Sequence, residues 1–162
     1  VLAVGLPQRS DATAFIAESG ERVAPDMNAL APPFVAELYG GGTLELSALR
    51  GQTVILNFWA TWCAPCAVEM PELQRLHEDF GARGVTVLGV NLAETPEAIG
   101  AWQQGYGLTF PLLLDPALEI ATLYQLRGQP YTLVIAPNGV IVGVFFGATN
   151  YEALARFVNV NS

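Results

Sequence analysis

The sequence predicts an α/β protein: a three-layer sandwich in which a mixed central sheet carries helices on both faces, with an N-terminal β-hairpin and a central strand–helix insertion. Three observations lead there. Val54-Ile55-Leu56-Asn57-Phe58-Trp59 is a short apolar, β-leaning run, as expected of a buried strand. Soon after it the pattern turns helical, with Leu73, Leu76 and Phe80 at i, i+3 and i+7 and Glu69, Gln74, Glu78 and Asp79 between them. Further on, Tyr131 to Ala136 and Val140 to Phe146 flank Pro137-Asn138-Gly139, a tight-turn signal for a hairpin. Strand–helix–strand, then helix, then hairpin and helix stacks helices on both sides of one sheet.

Taken in order, residues 1–30 read as a peripheral tether and residues 31–162 as the domain. In the tether, Asp11 to Glu18 has the pattern of a short helix capped by Ser10 or Asp11 and ended by Ser19-Gly20. Pro25, Pro32 and Pro33 mark an extended passage. Phe34 to Leu38 and Thr43 to Leu46 flank Gly40-Gly41-Gly42, whose freedom at positive φ suits a hairpin turn. The helix after the central strand is ended by Gly81 and Gly84, and Pro71 inside it predicts a kink near Ala67, whose carbonyl loses its N–H partner. Val85 to Val90 reads as a second buried parallel strand. Thr95 caps a helix with Pro96 at its first position and Glu97 beside the dipole, running to about Tyr106. Leu112 to Leu114 is a short strand, and Asp115-Pro116 starts a helix through about Leu126; together they form the insertion. Tyr151 to Val158 is a closing helix.

A chain of 162 residues with 52% apolar and 14% charged residues suits one globular domain with a substantial core. Net charge is −8, and lysine is absent, all seven basic residues being arginines. That argues against binding a phosphate backbone or docking electrostatically on an anionic membrane, both of which need a basic face. No stretch reaches the roughly 20 apolar residues of a membrane-spanning helix. Val1 to Leu6 is apolar and reads either as the trailing end of an anchor or signal segment or as an arbitrary boundary.

The chemistry gathers at Cys63-Ala64-Pro65-Cys66, where the central strand hands over to its helix. First-turn N–H groups have no intrahelical partner and carry about half a positive charge, so a thiolate there is stabilised. Cysteines in such settings ionise at pKa values of about 3.5 to 7.5. Pro65 needs no N–H in the first turn, and its φ is already helical. Attack by Cys63 on a disulfide, then resolution of the mixed disulfide by Cys66, is the expected chemistry. A structural zinc site wants four ligands, and two cysteines with one histidine, His77, do not complete one. A static disulfide closing so short a loop constrains the unfolded chain little.

The segment Asn57-Phe58-Trp59-Ala60-Thr61-Trp62-Cys63-Ala64-Pro65-Cys66 resembles the active site of thioredoxin-like thiol–disulfide oxidoreductases, most closely the exported TlpA/ResA type, whose members include cytochrome c maturation reductants. Ala31-Pro32-Pro33-Phe34, Leu46-Ser47-Ala48-Leu49-Arg50-Gly51, Glu69-Met70-Pro71 and Gly128-Gln129-Pro130-Tyr131-Thr132 agree with it, over about residues 31 to 158. The resemblance implies a thioredoxin-like fold and a cis peptide before Pro130 that presents backbone to an extended substrate; taken alone, Pro130 reads as an ordinary turn proline. Gln129 departs from the Thr, Val or Ile usual in such proteins and puts partner choice in question. Alone, Glu69 reads as an exposed helix acid. Within the motif it becomes a buried acid handling the proton of Cys66, because Asn57 replaces the aspartate that cytosolic thioredoxins bury there. Trp62 either shields the thiol and contacts a partner or packs in the core. Trp59 reads as core, His77 as surface, and Tyr131 as lining the groove by adjacency alone.

Site candidates are thus Cys63, Cys66 and Glu69 for catalysis, Trp62, Gln129 and Pro130 for substrate, and Asn57 and Pro65 in support. No cofactor or metal beyond the redox-active disulfide is expected. Ala64 and Pro65 do nothing to over-stabilise the thiolate, which leans the pair towards a reductant. Implied partners are protein disulfides, apocytochrome c among them, and an upstream membrane thiol reductant, for an extracytoplasmic, membrane-anchored or exported monomer that binds no nucleic acid. Rival readings are a thiol peroxidase, which needs a lone peroxidatic cysteine, and a non-enzymatic protein- or metal-binding module.

Overall fold

The computed structural model describes residues 15–161. In chain order the elements are β1 (Phe15–Ile16), β2 (Arg22–Val23), β3 (Val35–Leu38), β4 (Thr43–Glu45), β5 (Thr53–Trp59), α1 (Ala64–Phe80), β6 (Val85–Leu92), α2 (Pro96–Tyr106), β7 (Leu112–Asp115), α3 (Glu119–Leu123), β8 (Tyr131–Ile135), β9 (Ile141–Phe146) and α4 (Tyr151–Asn161). Seven strands form one mixed sheet in the order β4-β3-β7-β6-β5-β8-β9. All seven residues of β5 are buried, as its unbroken apolar run requires. It pairs parallel with β6, from Thr53↔Val85 to Trp59↔Asn91, and antiparallel with β8, from Val54↔Ile135 to Phe58↔Tyr131.

Period-two alternation along β5 divides the core. Ile55 and Trp59 face Met70, Leu73 and Leu76 of α1, Ile99 of α2, and Leu154 and Val158 of α4. Val54, Leu56 and Phe58 face Phe34, Ile120 and Ala121 of α3, and Tyr124. Helices therefore cover both faces. The hairpin β3–β4 turns through Gly40, Gly41 and Gly42, all at positive φ. The insertion brings β7 between β6 and β3, parallel to the first and antiparallel to the second.

Each long helix starts and stops where its terminal groups find partners. Cys63 occupies the N-cap of α1, and Gly81 ends it with its N–H on the His77 carbonyl, before Gly84 turns the chain at φ +84°. The helix runs on through Pro71. Thr95 accepts a hydrogen bond from the Ala98 amide at the start of α2, and Gly107 closes it in the left-handed region.

Three expectations are corrected. Of the helix expected over 11–18, residues 11–14 lie outside the described residues, and Phe15–Ile16 instead pairs antiparallel with Arg22–Val23 across a turn at Gly20 (φ +85°). Aromatic and β-branched side chains favour this extended form. The helix expected from Asp115 to Leu126 shrinks to Glu119–Leu123. The buried Asp115 carboxylate accepts from the amides of Ile120 and Ala121, five and six residues on, while Leu118 and Gln125 adopt left-handed backbone at the two ends. His77 is half-buried, its ring edge-on to Phe110 at 6.2 Å, rather than on the surface. The stretch after β2 packs on the sheet: Val23, Ala24 and Leu30 are buried, and the backbones of residues 28–31 exchange hydrogen bonds with Gly139 and Ile141.

Candidate active site

The C-terminal end of β5 delivers Thr61, Trp62 and Cys63 to the start of α1. Cys63 has extended backbone, and its Sγ accepts the Cys66 amide at 3.3 Å. A sulfur thus fills the role that an oxygen plays at an ordinary helix N-cap, so its anionic form meets unpaired N–H groups and the positive helix end. Pro65 sits in the first turn, where it costs no hydrogen bond. Cys63 and Cys66 are disulfide-bonded, with Cα atoms 5.2 Å apart. Both are buried, Cys66 the more deeply.

One turn beyond Cys66, Glu69 is only 1% exposed. Asn57 Nδ2 donates to its Oε1 at 2.7 Å, the Thr132 hydroxyl to the same oxygen at 3.1 Å, and the Thr149 amide to Oε2 at 3.1 Å. Asn57 Nδ2 also donates to Thr132 Oγ1 at 3.0 Å. Three donors hold the carboxyl in one orientation. Burial pushes it up from 4.5 to about 7, against the downward pull of the Thr149 amide and the Thr132 hydroxyl. A carboxyl poised there can take or give a proton at neutral pH. Asn57 Oδ1 and Thr149 Oγ1, buried beside it, have no partner among the described residues.

The Gln129–Pro130 peptide is cis, and Gly147 donates its N–H to the Pro130 carbonyl at 2.9 Å. Trp62 is 68% exposed, so it is a surface residue and not core, whereas Trp59 is fully buried and stacks on Trp102. Trp62 and Gln129 line one groove of about 730 Å³ between α3 and the loop after β6. On the other side of Gln129, a smaller recess is lined by Pro130, Tyr131 and the exposed Phe146. Trp62 and Gln129 thus line the same groove, while Asn57 and Glu69 are hydrogen-bonded to each other in the buried interior.

Glu94 escaped the sequence reading. Its Oε1 accepts the Thr61 amide at 2.7 Å and Asn91 Nδ2 at 2.8 Å, while its Oε2 accepts the Thr61 hydroxyl. It ties the active-site turn to the loop after β6, where Ala93 takes positive φ. An Asn-x-x-Glu pattern closing a buried strand was the available signal, and nothing in it pointed to Thr61. Thr132 and Thr149 were likewise unmarked. Among the described residues no group of three or more His, Cys, Asp or Glu is placed to hold a metal.

A cysteine pair capping a helix beside a central parallel strand, with a cis-proline loop on the same molecule, defines a thiol–disulfide oxidoreductase of thioredoxin-like fold. The profile of the AhpC/TSA family matches residues 27–144, and the chain belongs to that family. It is 35% identical over 130 residues to the thiol–disulfide oxidoreductase ResA of Bacillus subtilis, covering 80% of this chain and 73% of that protein. Among solved structures, a thioredoxin-family thiol:disulfide interchange protein from Chlorobium tepidum superposes with a TM-score of 0.76 at 25% identity, over 84% of this chain and 97% of the other. A secreted thiol–disulfide isomerase from Corynebacterium glutamicum superposes with a TM-score of 0.73 at 25% identity, over 93% and 92%.

Proposed function

We propose that this oxidoreductase works as a reductant of protein disulfides through Cys63 and Cys66, with Glu69 as their proton carrier. The observation that carries the reading is the placement of Cys63 Sγ at the N-cap of α1, over the Cys66 amide. In the reduced protein, the Cys63 thiolate attacks one sulfur of the substrate disulfide. A mixed disulfide forms, and the first substrate thiolate leaves and takes a proton. Cys66 then gives its thiol proton to the Glu69 carboxylate, and its sulfur attacks Cys63 Sγ. The Cys63–Cys66 disulfide closes, and the second substrate thiolate departs and is protonated. Two electrons pass from the Cys63/Cys66 pair to the substrate. Of the two protons its thiols take up, one comes from Cys66 by way of Glu69 and the other from solvent, which had received the proton of Cys63 when its thiolate formed.

In this reading the protein needs no resident cofactor. Asn57 orients Glu69, and Pro65 keeps the first turn helical without an N–H. Trp62, Gln129 and Pro130 receive the substrate chain. Residues 31–162 are the redox unit, with residues 1–30 leading into it. The protein is monomeric and extracytoplasmic, an exported or anchored chain, as the secreted relative supports. It is re-reduced by a membrane thiol partner, and apocytochrome c is a substrate, a reading that rests on the resemblance of the Asn57–Cys66 segment to the TlpA/ResA type. Replacing Cys66 by Ser tests the order of attack: a substrate protein should accumulate as a mixed disulfide on Cys63, while Cys63→Ser should trap nothing. Trapping by Cys63→Ser and not by Cys66→Ser would reverse the assignment.

A further inference from the structure

Beyond Trp62 and Gln129 the groove continues past residues to which the mechanism above gives no role. The groove between α3 and the loop after β6 begins at Trp62 and Gln129 and has an apolar floor of Leu92, Ala121 and Leu126. Two charged residues line it, Glu94 and Arg127. Glu94 is spent on Thr61 and Asn91. Arg127 is exposed, and among the described residues it has no carboxylate within ion-pair distance. It also lines the recess on the far side of Gln129. A positive charge is therefore left open at the junction of both depressions, on a chain whose net charge is −8.

We infer that this groove takes an extended segment of the disulfide-bearing partner, with an apolar side chain on its floor and an acidic residue, two or three positions from the attacked cysteine, opposite Arg127. The inference rests on the oxidoreductase reading and names the sequence that this site prefers. The proposed function has Gln129 receive the substrate chain next to the attacked cysteine. Arg127 is two residues before Gln129, at most about 7 Å of backbone, so on that reading the matching acid lies two or three positions from the cysteine. An arginine fork aligns with a carboxylate through two parallel hydrogen bonds, whereas a lysine in the partner is repelled. The apolar floor sets depth, and the charge sets register.

The test uses two disulfide-bridged peptides of identical composition. One carries Glu near the cysteine and Lys at its far end; the other exchanges them. Equal net charge cancels the long-range field of the acidic protein. The probe is the single-turnover rate constant of the pre-reduced protein, measured by acid quench at low ionic strength. The peptide with Glu near the cysteine should be reduced roughly three- to tenfold faster, the range of an exposed pair gained against one repelled. Arg127→Glu should reverse the order, and 1 M salt, with a screening length of about 3 Å, should shrink it below about twofold. Equal rates for both peptides, or a preference that survives Arg127→Glu, would overturn the inference and leave the enzyme reading intact. Failure to reduce either peptide would remove both.

Discussion

Replacing Glu69 by glutamine should abolish one identifiable part of the protein's pH dependence. In the unfolded chain this carboxyl titrates near 4.5 and in the folded protein at about 7. Between those values the folded state binds more protons than the unfolded one, so stability falls as pH rises and levels off above the folded value. The full loss from this group is roughly 3 kcal/mol, because the buried charge is held by hydrogen bonds but little water. A glutamine does not titrate. Its carbonyl can keep the Asn57 and Thr132 donors, but its amide then faces the Thr149 N–H, donor against donor, an offset of about 1–3 kcal/mol at every pH. The informative quantity is therefore the change in the stability difference, since other titrating groups occur in both proteins. Urea unfolding of the oxidised forms, followed by tryptophan fluorescence from pH 4 to 9, should show the wild type losing about 3 kcal/mol relative to the variant, mostly between pH 5 and 7. Parallel curves would refute the claim that burial raises the Glu69 carboxyl towards neutrality.

Other outcomes follow from the same geometry. Glu94→Ala leaves the Thr61 amide and Asn91 without their acceptor; it should cost about 1–3 kcal/mol in unfolding free energy and slow disulfide reduction by freeing the turn that carries Cys63. Gly89→Ala would put a Cβ 3.0 Å from Trp59 Nε1 and 3.1 Å from side chains of Leu112 and Phe110, so the urea midpoint should fall by an amount equivalent to about 1–3 kcal/mol. Incubation with a chelator should leave protein-disulfide reduction unchanged. Hydrogen peroxide should not be turned over at rates comparable with protein disulfides; efficient peroxide turnover would favour the peroxidase reading.

Patterns local in sequence were the legible ones. An unbroken apolar run specifies a buried strand, i, i+3, i+7 spacing specifies the α1 face, and Cys-x-x-Cys at their junction names its own chemistry. Contacts that depend on chain reversal were not. Glu69 has the look of a surface acid until Thr132 and Thr149, 63 and 80 residues further on, arrive beside it with their donors. Glu94 reaches back 33 residues to Thr61. The α3 boundary was misplaced because Asp115 accepts from amides a turn later than a helix N-cap would, a choice made by the left-handed Leu118. Phe15 and Ile16 pair with Val23 and Arg22, eight and six residues away, where two-residue strands leave almost no periodicity to read.

The central claim is that the Cys63/Cys66 pair donates electrons to protein disulfides, and its reduction potential tests that most directly. Equilibrating the protein against defined thiol–disulfide buffers at pH 7 and counting free thiols should place the couple near or below about −250 mV, the range of reducing thioredoxins. Neither Ala64 nor Pro65 offers a charge or imidazole to over-stabilise the Cys63 thiolate, which is why the pair should be reducing. A value near −120 mV would contradict the account and make the protein an oxidant of dithiols.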